Sequence, residues 1–317
     1  IVNIIINNMI KKGLKKIFIT ISRFLGYEIL DQNKFVSPTL DKKLNEELSI
    51  FNKKSIVMPL GEVKISRKVK SLLIVFRTNS NIEIWDQNKK RIFEEEKIKY
   101  VEKSLKSLIR SAKNCIQNLS SLKLKLLIVD DNSKVENLDK IQKIVDGSSL
   151  SYEILKHDRS KYKNKIKNQK TQDTFSNLSS LLTSFNFAKE QANDLIFFVE
   201  DDYLHHENML IEVIKTYERI SSQLDSDIFV CPADYPFLYV NNEKTNVLIG
   251  NSRHWRTINK TLCTFFTSKK LINKYWDNFE KNCIDRHDPF EKYLNEIYEN
   301  EICISPLQSL SIHMTNV

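Results

Sequence analysis

The chain has 317 residues, a net charge of +9 and only five glycines. Apolar residues make up 41% and charged residues 28%, which suits a sizeable core and excludes a disordered or fibrous chain. With neither GxGxxG nor GxxxxGK[ST] present, the usual glycine-rich dinucleotide and P-loop sites are excluded as well. The five cysteines (Cys115, Cys231, Cys263, Cys283 and Cys303) are odd in number and no pair has CxxC spacing. Neither a disulfide framework nor a zinc site is expected, and a reducing cytoplasm is the simplest home. The basic residues are spread along the chain without a nucleic-acid motif, so nucleic acid is not an expected partner. The surplus charge serves either solubility or attraction to a nucleotide or membrane surface.

The first patterned stretch is "MIKKGLKKIFITISRFLGYEI" at 9–29. Leu14, Ile17, Phe18, Ile21, Phe24 and Leu25 recur at helical spacing, with Lys11, Lys12, Lys15, Lys16 and Arg23 between them. A basic amphipathic helix of this kind suits the inner face of an anionic membrane, as a peripheral contact. The alternative is a helix that packs its stripe on the main domain. The apolar runs are too short to span a bilayer, and no signal-peptide cleavage site follows. Residues 30–68 read as a polar connector, so 1–68 form a helical extension and connector.

From residue 69 strands and helices alternate. "SLLIVFRTNS" (71–80) reads as a buried strand. Residues 94–119 have helical periodicity through Ile98, Val101, Leu105, Leu108 and Ala112. "LKLLIVDDNS" (124–133) is a second buried strand, 135–145 a short helix and "SYEILKHD" (151–158) a third strand. A basic stretch at 159–172 reads as a solvated loop or a phosphate clamp. A helix over 175–192 leads into the strand "LIFFV" at 195–199, and a further helix is expected from His205 to Tyr217. Strand–helix–strand repetition with continuous apolar strands predicts an α/β fold, with a mostly parallel central sheet flanked by helices.

In such sheets ligands bind beyond the carboxyl ends of the strands. Those ends here carry Arg77 and Thr78, then Asp130 and Asp131, then Glu200, Asp201 and Asp202. Asp130 and Asp131 have two readings: turn formation and helix capping, or recognition of a base or ribose. Three consecutive acids are harder to ascribe to capping, because ionising all of them is costly unless a cation offsets the repulsion. A hard divalent cation takes oxygen ligands and bridges to phosphates, so the triplet is a metal-site candidate. The bland alternative is a solvated acidic turn. Further along, "SRHWRT" (252–257) offers Arg253 to a diphosphate and Trp255 to a sugar face, or is a structured loop with a packed tryptophan.

The ordered set of "LLIVFRTNS", "LLIVDDNS", the helix before "LIFFVEDD", the segment "SRHWRTINKTLCTFFTSKKLI" and the ending "ISPLQSLSIHM" resembles the GT-A glycosyltransferases, close to glycosyltransferase family 2. The resemblance covers about 71–317. It implies a single catalytic domain over 69–317, with a nucleotide-sugar-binding half at 69–202 and an acceptor-side half at 203–317. It also implies transfer of a sugar, with inversion, from a nucleotide-diphosphate sugar to a glycan or lipid-linked acceptor. Carried over by position, Arg77 and Thr78 face the nucleotide, and Asp131 bonds the base with Asp130 supporting the loop. Glu200 and Asp202 take the outer positions of a DxD motif, and Asp201 lies near the ribose or sugar. His313 completes a site for Mn2+ or Mg2+. Glu200 stands where aspartate is usual, so Asp202 is the first candidate for metal contact. Asp288 is the expected general base, or else the N-cap of the helix that Pro289 opens, with Asp285 second. Asp234 is expected to line the acceptor cleft. A nucleotidyltransferase of related fold, or a non-catalytic nucleotide- or glycan-binding module, are the competing readings; the first of these usually carries a glycine-rich loop that is missing here.

Overall fold

The computed structural model describes residues 14, 17–27, 51–52, 54–57, 61–81, 95–167, 171–240 and 244–314. The chain divides into two compact units, Ile1–Glu46 and Glu47–Val317. In the first, residues 17–24 are helical, and the Ser22 hydroxyl donates to the Phe18 carbonyl at 2.9 Å. Residues 9–13, 15, 16, 28 and 29 of the expected basic segment, and most of the expected connector, lie outside the described residues.

The second unit opens with an antiparallel hairpin of β1 (Lys54–Val57) and β2 (Gly61–Lys64). It then builds a nine-stranded sheet in the order β5-β4-β3-β6-β11-β8-β12-β10-β9. The strands β3 (Ser71–Thr78), β4 (Lys123–Asp130), β5 (Ser151–Lys156) and β6 (Leu195–Glu200) are mutually parallel. So are β8 (Phe229–Val230) and β12 (Cys303–Pro306). Only β11 (Phe265–Ser268) and β10 (His254–Ile258) run against the rest, and β9 (Val247–Ile249) pairs antiparallel with β10 at the edge. The expected α/β fold, with a mostly parallel sheet flanked by helices, is met.

The continuous apolar runs have a simple cause: both faces of the sheet are covered. Side chains alternate at period two, so Leu72, Ile74 and Phe76 enter one core and Leu73 and Val75 the other. The first core takes the apolar stripes of α1 (Lys97–Asn118), α2 (Val135–Asp146) and α4 (Met209–Leu224). In α1 that stripe is Val101, Leu105, Leu108 and Ala112, the spacing of one helical face. The second core takes α3 (Gln172–Gln191), α5 (Lys269–Lys274), α6 (Trp276–Ile284) and α7 (Lys292–Ile297). At its centre Phe185 packs edge-on against both Phe198 and Phe279, each at 4.9 Å between ring centroids.

Three boundaries differ from the sequence reading, and each difference shapes the site. The strand expected over 124–133 stops at Asp130, because Asn132 adopts a left-handed backbone (φ 66°) that turns the chain. The helix expected from His205 starts at Met209; Tyr203–His205 is instead a strand, β7, paired with β13 (Ser311–His313). His205 is therefore buried beneath Ser311, at 5% exposure, and only His206 is exposed. The expected C-terminal strand over 304–314 is two strands, broken where Gln308 takes φ 74°. That break lets β13 leave the main sheet and carry His313 to β7.

Candidate active site

The order β5-β4-β3-β6 creates the crevice. From β3 the chain steps outward through β4 and β5, then returns to the other side of β3 as β6. Loops leaving the carboxyl ends of β3, β4 and β6 therefore diverge, the usual place for a ligand in an open α/β sheet.

Glu200, Asp201 and Asp202 leave the end of β6, and each meets a different basic side chain. Glu200 accepts from the Arg77 guanidinium on the neighbouring strand β3. Burial pushes the Glu200 carboxyl up, and Arg77 opposes that rise. Burial also works against the Arg77 charge, but Glu200 and the other nearby acids outweigh it and raise the guanidinium further. Asp201 is 5% exposed and both its oxygens are engaged. One accepts from the Thr78 hydroxyl at 2.8 Å and the Asn79 amide at 3.1 Å, and the other from Lys97. Thr78 is itself only 1% exposed. These two residues, expected at the nucleotide and the sugar, instead bond each other and tie the end of β3 to the end of β6. Asp202 meets His313 Nε2 at 3.3 Å and lies 3.9 Å from the Lys97 ammonium. Burial opposes a charged His313, but Asp202 outweighs it and holds the imidazole above its ordinary pKa. The Tyr203 ring stacks on His313 at 4.7 Å and sets its plane.

Three carboxylates thus face two permanent cations, Arg77 and Lys97. The remaining charge is met either by protonated His313 or by a bound cation. Glu200, Asp202 and His313 each offer a ligand atom, and these atoms lie within 4.8 Å of one another. All three residues are partly exposed. A mixed carboxylate–imidazole set, reachable from solvent, fits a divalent ion such as Mn2+.

The β4 end forms a second subsite. Asp131 is 2% exposed; Arg159 Nε donates to one oxygen at 2.6 Å, while Asn79 and Ser176 donate to the other. Asp131 is thus covered by the basic segment. Asp130 caps the turn through the Ser133 amide at 3.3 Å. Its other oxygen is buried without a hydrogen-bond partner among the described residues, and burial raises its pKa.

On the other side of β6, one Asp234 oxygen accepts from both Nε and Nη2 of Arg256, at 3.2 and 2.7 Å, and the other accepts from the Tyr239 hydroxyl. The half-exposed Tyr239 ring lies under that guanidinium at 4.1 Å. Tyr235, next to Asp234, shares a 2.7 Å hydroxyl contact with Tyr203, so this cluster connects through Tyr203 to His313. Trp255 does not present a sugar-stacking face. It is fully buried in β10, against Gly250 and Thr216, with its indole N–H donating to Glu212 at 3.4 Å. Alternation along β10 turns it inward, between exposed His254 and the pair-forming Arg256. Arg253 holds the β12–β13 turn through the Gln308 carbonyl at 2.9 Å. Asp288 is exposed, and Asp285 accepts from the Arg286 amide at 2.7 Å. Neither shares a hydrogen bond or ion pair with the Glu200–Asp202 cluster among the described residues. Nor does Asp288 cap a helix: α7 begins at Lys292 with Glu291 in the N-cap position.

No protein-family model and no curated protein matches the sequence. Solved structures do. S. aureus TarS 1-349 in complex with UDP is 16% identical, covering 77% of this chain and 60% of its own, with a TM-score of 0.43. GalNAc-T7 with UDP, GalNAc and Mn2+ is 9% identical over 77% of this chain and 43% of its own, at TM-score 0.44. UDP-glucose pyrophosphorylase complexed with UDP-glucose is 8% identical over 75% and 90%, at TM-score 0.36. The chain thus spans less than two thirds of the TarS and GalNAc-T7 chains it matches.

Three contributors escaped the sequence reading. Lys97, the first residue of α1, reaches the acids from 104 positions away. Arg159 sits within the basic run but is singled out only by its contact with Asp131. Glu291, 4% exposed, accepts from the Thr261 hydroxyl at 3.0 Å and from the amides of residues 262 and 263. Leu262 and Cys263 both have left-handed backbones (φ 49° and 55°), a conformation costly for non-glycine residues unless held in place. The sequence cue was an acid two residues after Pro289 in an otherwise helical stretch.

Proposed function

We propose that this protein is a GT-A glycosyltransferase that moves a sugar from a nucleotide-diphosphate donor to a glycan or lipid-linked acceptor. The observation that carries the reading is the convergence of Glu200, Asp202 and His313 within 4.8 Å at the sheet's switch point. These three would hold Mn2+ or Mg2+, which neutralises the charge of a departing nucleoside diphosphate as a Lewis acid. Arg77 and Lys97 add fixed positive charge beside the same acids, so the crevice offers cations to phosphate and carboxylates to the ion. Asp131 and Asp130 border the base-side subsite, with Arg159 closing over Asp131. Asp234, Arg256 and Tyr239 border the acceptor side, where an aromatic ring and an ion pair suit a sugar's apolar face and hydroxyls. For an inverting transfer, Asp288 is the assigned general base with Asp285 second, both having solvent access to take a proton. The five cysteines are all buried thiols, and we assign the protein to the reducing cytoplasm.

The test is manganese-dependent release of free sugar and nucleoside diphosphate across a panel of nucleotide sugars. Asp202→Ala is expected to lower that rate by about a hundredfold or more, the scale of losing one preorganised electrostatic contact. Donor binding with no sugar transfer to any acceptor, together with pyrophosphate-dependent cleavage of the donor, would point to a nucleotidyltransferase. No calorimetric binding of metal or nucleotide across the panel would overturn the enzyme reading.

A further inference from the structure

The apolar side chains of the N-terminal helix stand in solvent. Leu14, Ile17, Phe18, Ile21, Phe24 and Leu25 are 52–90% exposed. At about 100° per residue they fall within an arc of about 120°, so they form one face. Arg23 projects from the opposite side and is also exposed. Isolated exposed apolar residues are ordinary; a contiguous face of six, two of them phenylalanine, marks a contact surface. The stripe is about 17 Å long at 1.5 Å per residue, near half the thickness of a bilayer's hydrocarbon core. Among the described residues, no helix is long and apolar enough to cross a membrane. A helix with this face would lie along a surface.

Charge decides the kind of surface. Lys11, Lys12, Lys15, Lys16 and Arg23 interleave with the stripe in the sequence, and no acid occurs between Met9 and Tyr27. A second protein would need a matching acidic rim around an apolar groove. An anionic bilayer supplies both at once: acyl chains for the stripe and phosphate headgroups for the lysines. We infer that the helical segment at 17–24 lies in the plane of an anionic membrane surface, its apolar face among the acyl chains and the basic residues of the 9–27 sequence at the headgroups, which would hold the second unit close to lipid-linked acceptors.

The experiment is co-sedimentation of the full chain with phosphatidylglycerol–phosphatidylcholine vesicles and with vesicles of phosphatidylcholine alone. The expected result is binding to the anionic vesicles that weakens by about tenfold or more in either Phe18→Asp or Phe24→Asp, and weakens likewise as salt is raised. Both variants should keep the wild-type thermal transition, which separates lost contact from lost fold. Equal binding to both vesicles, or binding unchanged in both variants, would overturn the inference. So would a concentration-dependent oligomer of the wild type, without vesicles, that Phe24→Asp dissolves, because a second copy would then cover the face. Vesicle binding is read without donor or acceptor, so its failure leaves the proposed sugar transfer standing.

Discussion

Lys97 gives the sharpest test of how the acidic triplet is balanced. Its ammonium pairs with Asp201 and stands 3.9 Å from Asp202, at 15% side-chain exposure. Lys97→Met keeps the length of the side chain and removes the charge. Two effects follow with opposite readouts. Asp201, 7% exposed at its side chain, loses its cation but keeps the Thr78 and Asn79 donors. Breaking a buried pair from one side costs about 3–5 kcal/mol, and the two surviving hydrogen bonds place this case at the lower end. Meanwhile a divalent ion held by Glu200, Asp202 and His313 would lose a repelling neighbour. At effective dielectrics of about 40 to 80, a nearby unit charge would repel such an ion by about 1.4–3 kcal/mol. The variant should therefore melt several degrees lower while binding Mn2+ about tenfold more tightly or better, measured by calorimetry on the chain without donor. Unchanged or weaker Mn2+ binding in a folded Lys97→Met variant would refute both the charge balance and the assignment of Asp202 as a metal ligand.

Other expectations follow from the same contacts. Glu291→Gln replaces one acceptor oxygen by an amide N–H2, which then faces either the residue 262 amide or the residue 263 amide and the Thr261 hydroxyl; a cost of about 2–3 kcal/mol is expected, read as a lower midpoint in urea unfolding. Because Cys263 lies in the electrostatic reach of Glu200 and Arg77, the sugar-release rate should fall with it, and an unchanged rate would detach the loop at 261–263 from the site. Trp255→Phe, inside β10, should cost about 1–2 kcal/mol of stability through Glu212 and packing yet leave donor KM unchanged; a raised KM would restore the tryptophan to the donor site. Asp227 supplies a pH test. Burial pushes its carboxyl up, but the hydroxyls of Tyr217 and Ser268 together with Arg67 outweigh it, and its folded pKa lies below the ordinary value. Its stabilisation is therefore complete above about pH 4, the unfolded value, and is lost as pH falls through the folded one. Asp227→Asn should be less stable at pH 7, with a gap to wild type that begins to narrow only as pH falls below about 4 in thermal melts; a gap that narrows already above that pH would contradict the assignment.

The sequence alone determined the sheet's first half. Runs such as "LLIVF" and "LIFFV" admit burial on both faces, and the helical stripe of 97–118 between the first two strands demands a crossover, so parallel order follows from local pattern. The acids at strand ends were equally legible, because a charge after a continuous apolar run must emerge where the sheet stops. What each acid does was decided only by the tertiary structure. Asp201 and Asp202 are chain neighbours of the same chemistry, yet one is locked between Thr78, Asn79 and Lys97 while the other meets His313. That division depends on strands β3 and β6 lying side by side and on a lysine 104 residues away. His313 reaches the cluster because the chain breaks at Gln308 and pairs β13 with β7, a contact spanning about a third of the chain that no local periodicity encodes. Trp255 illustrates the converse: beside two arginines and a histidine it reads as a site residue, and only the alternation of β10 within a covered sheet turns it inward. Local pattern carries the elements because it acts over a few residues; partners are chosen by packing between elements far apart in the chain.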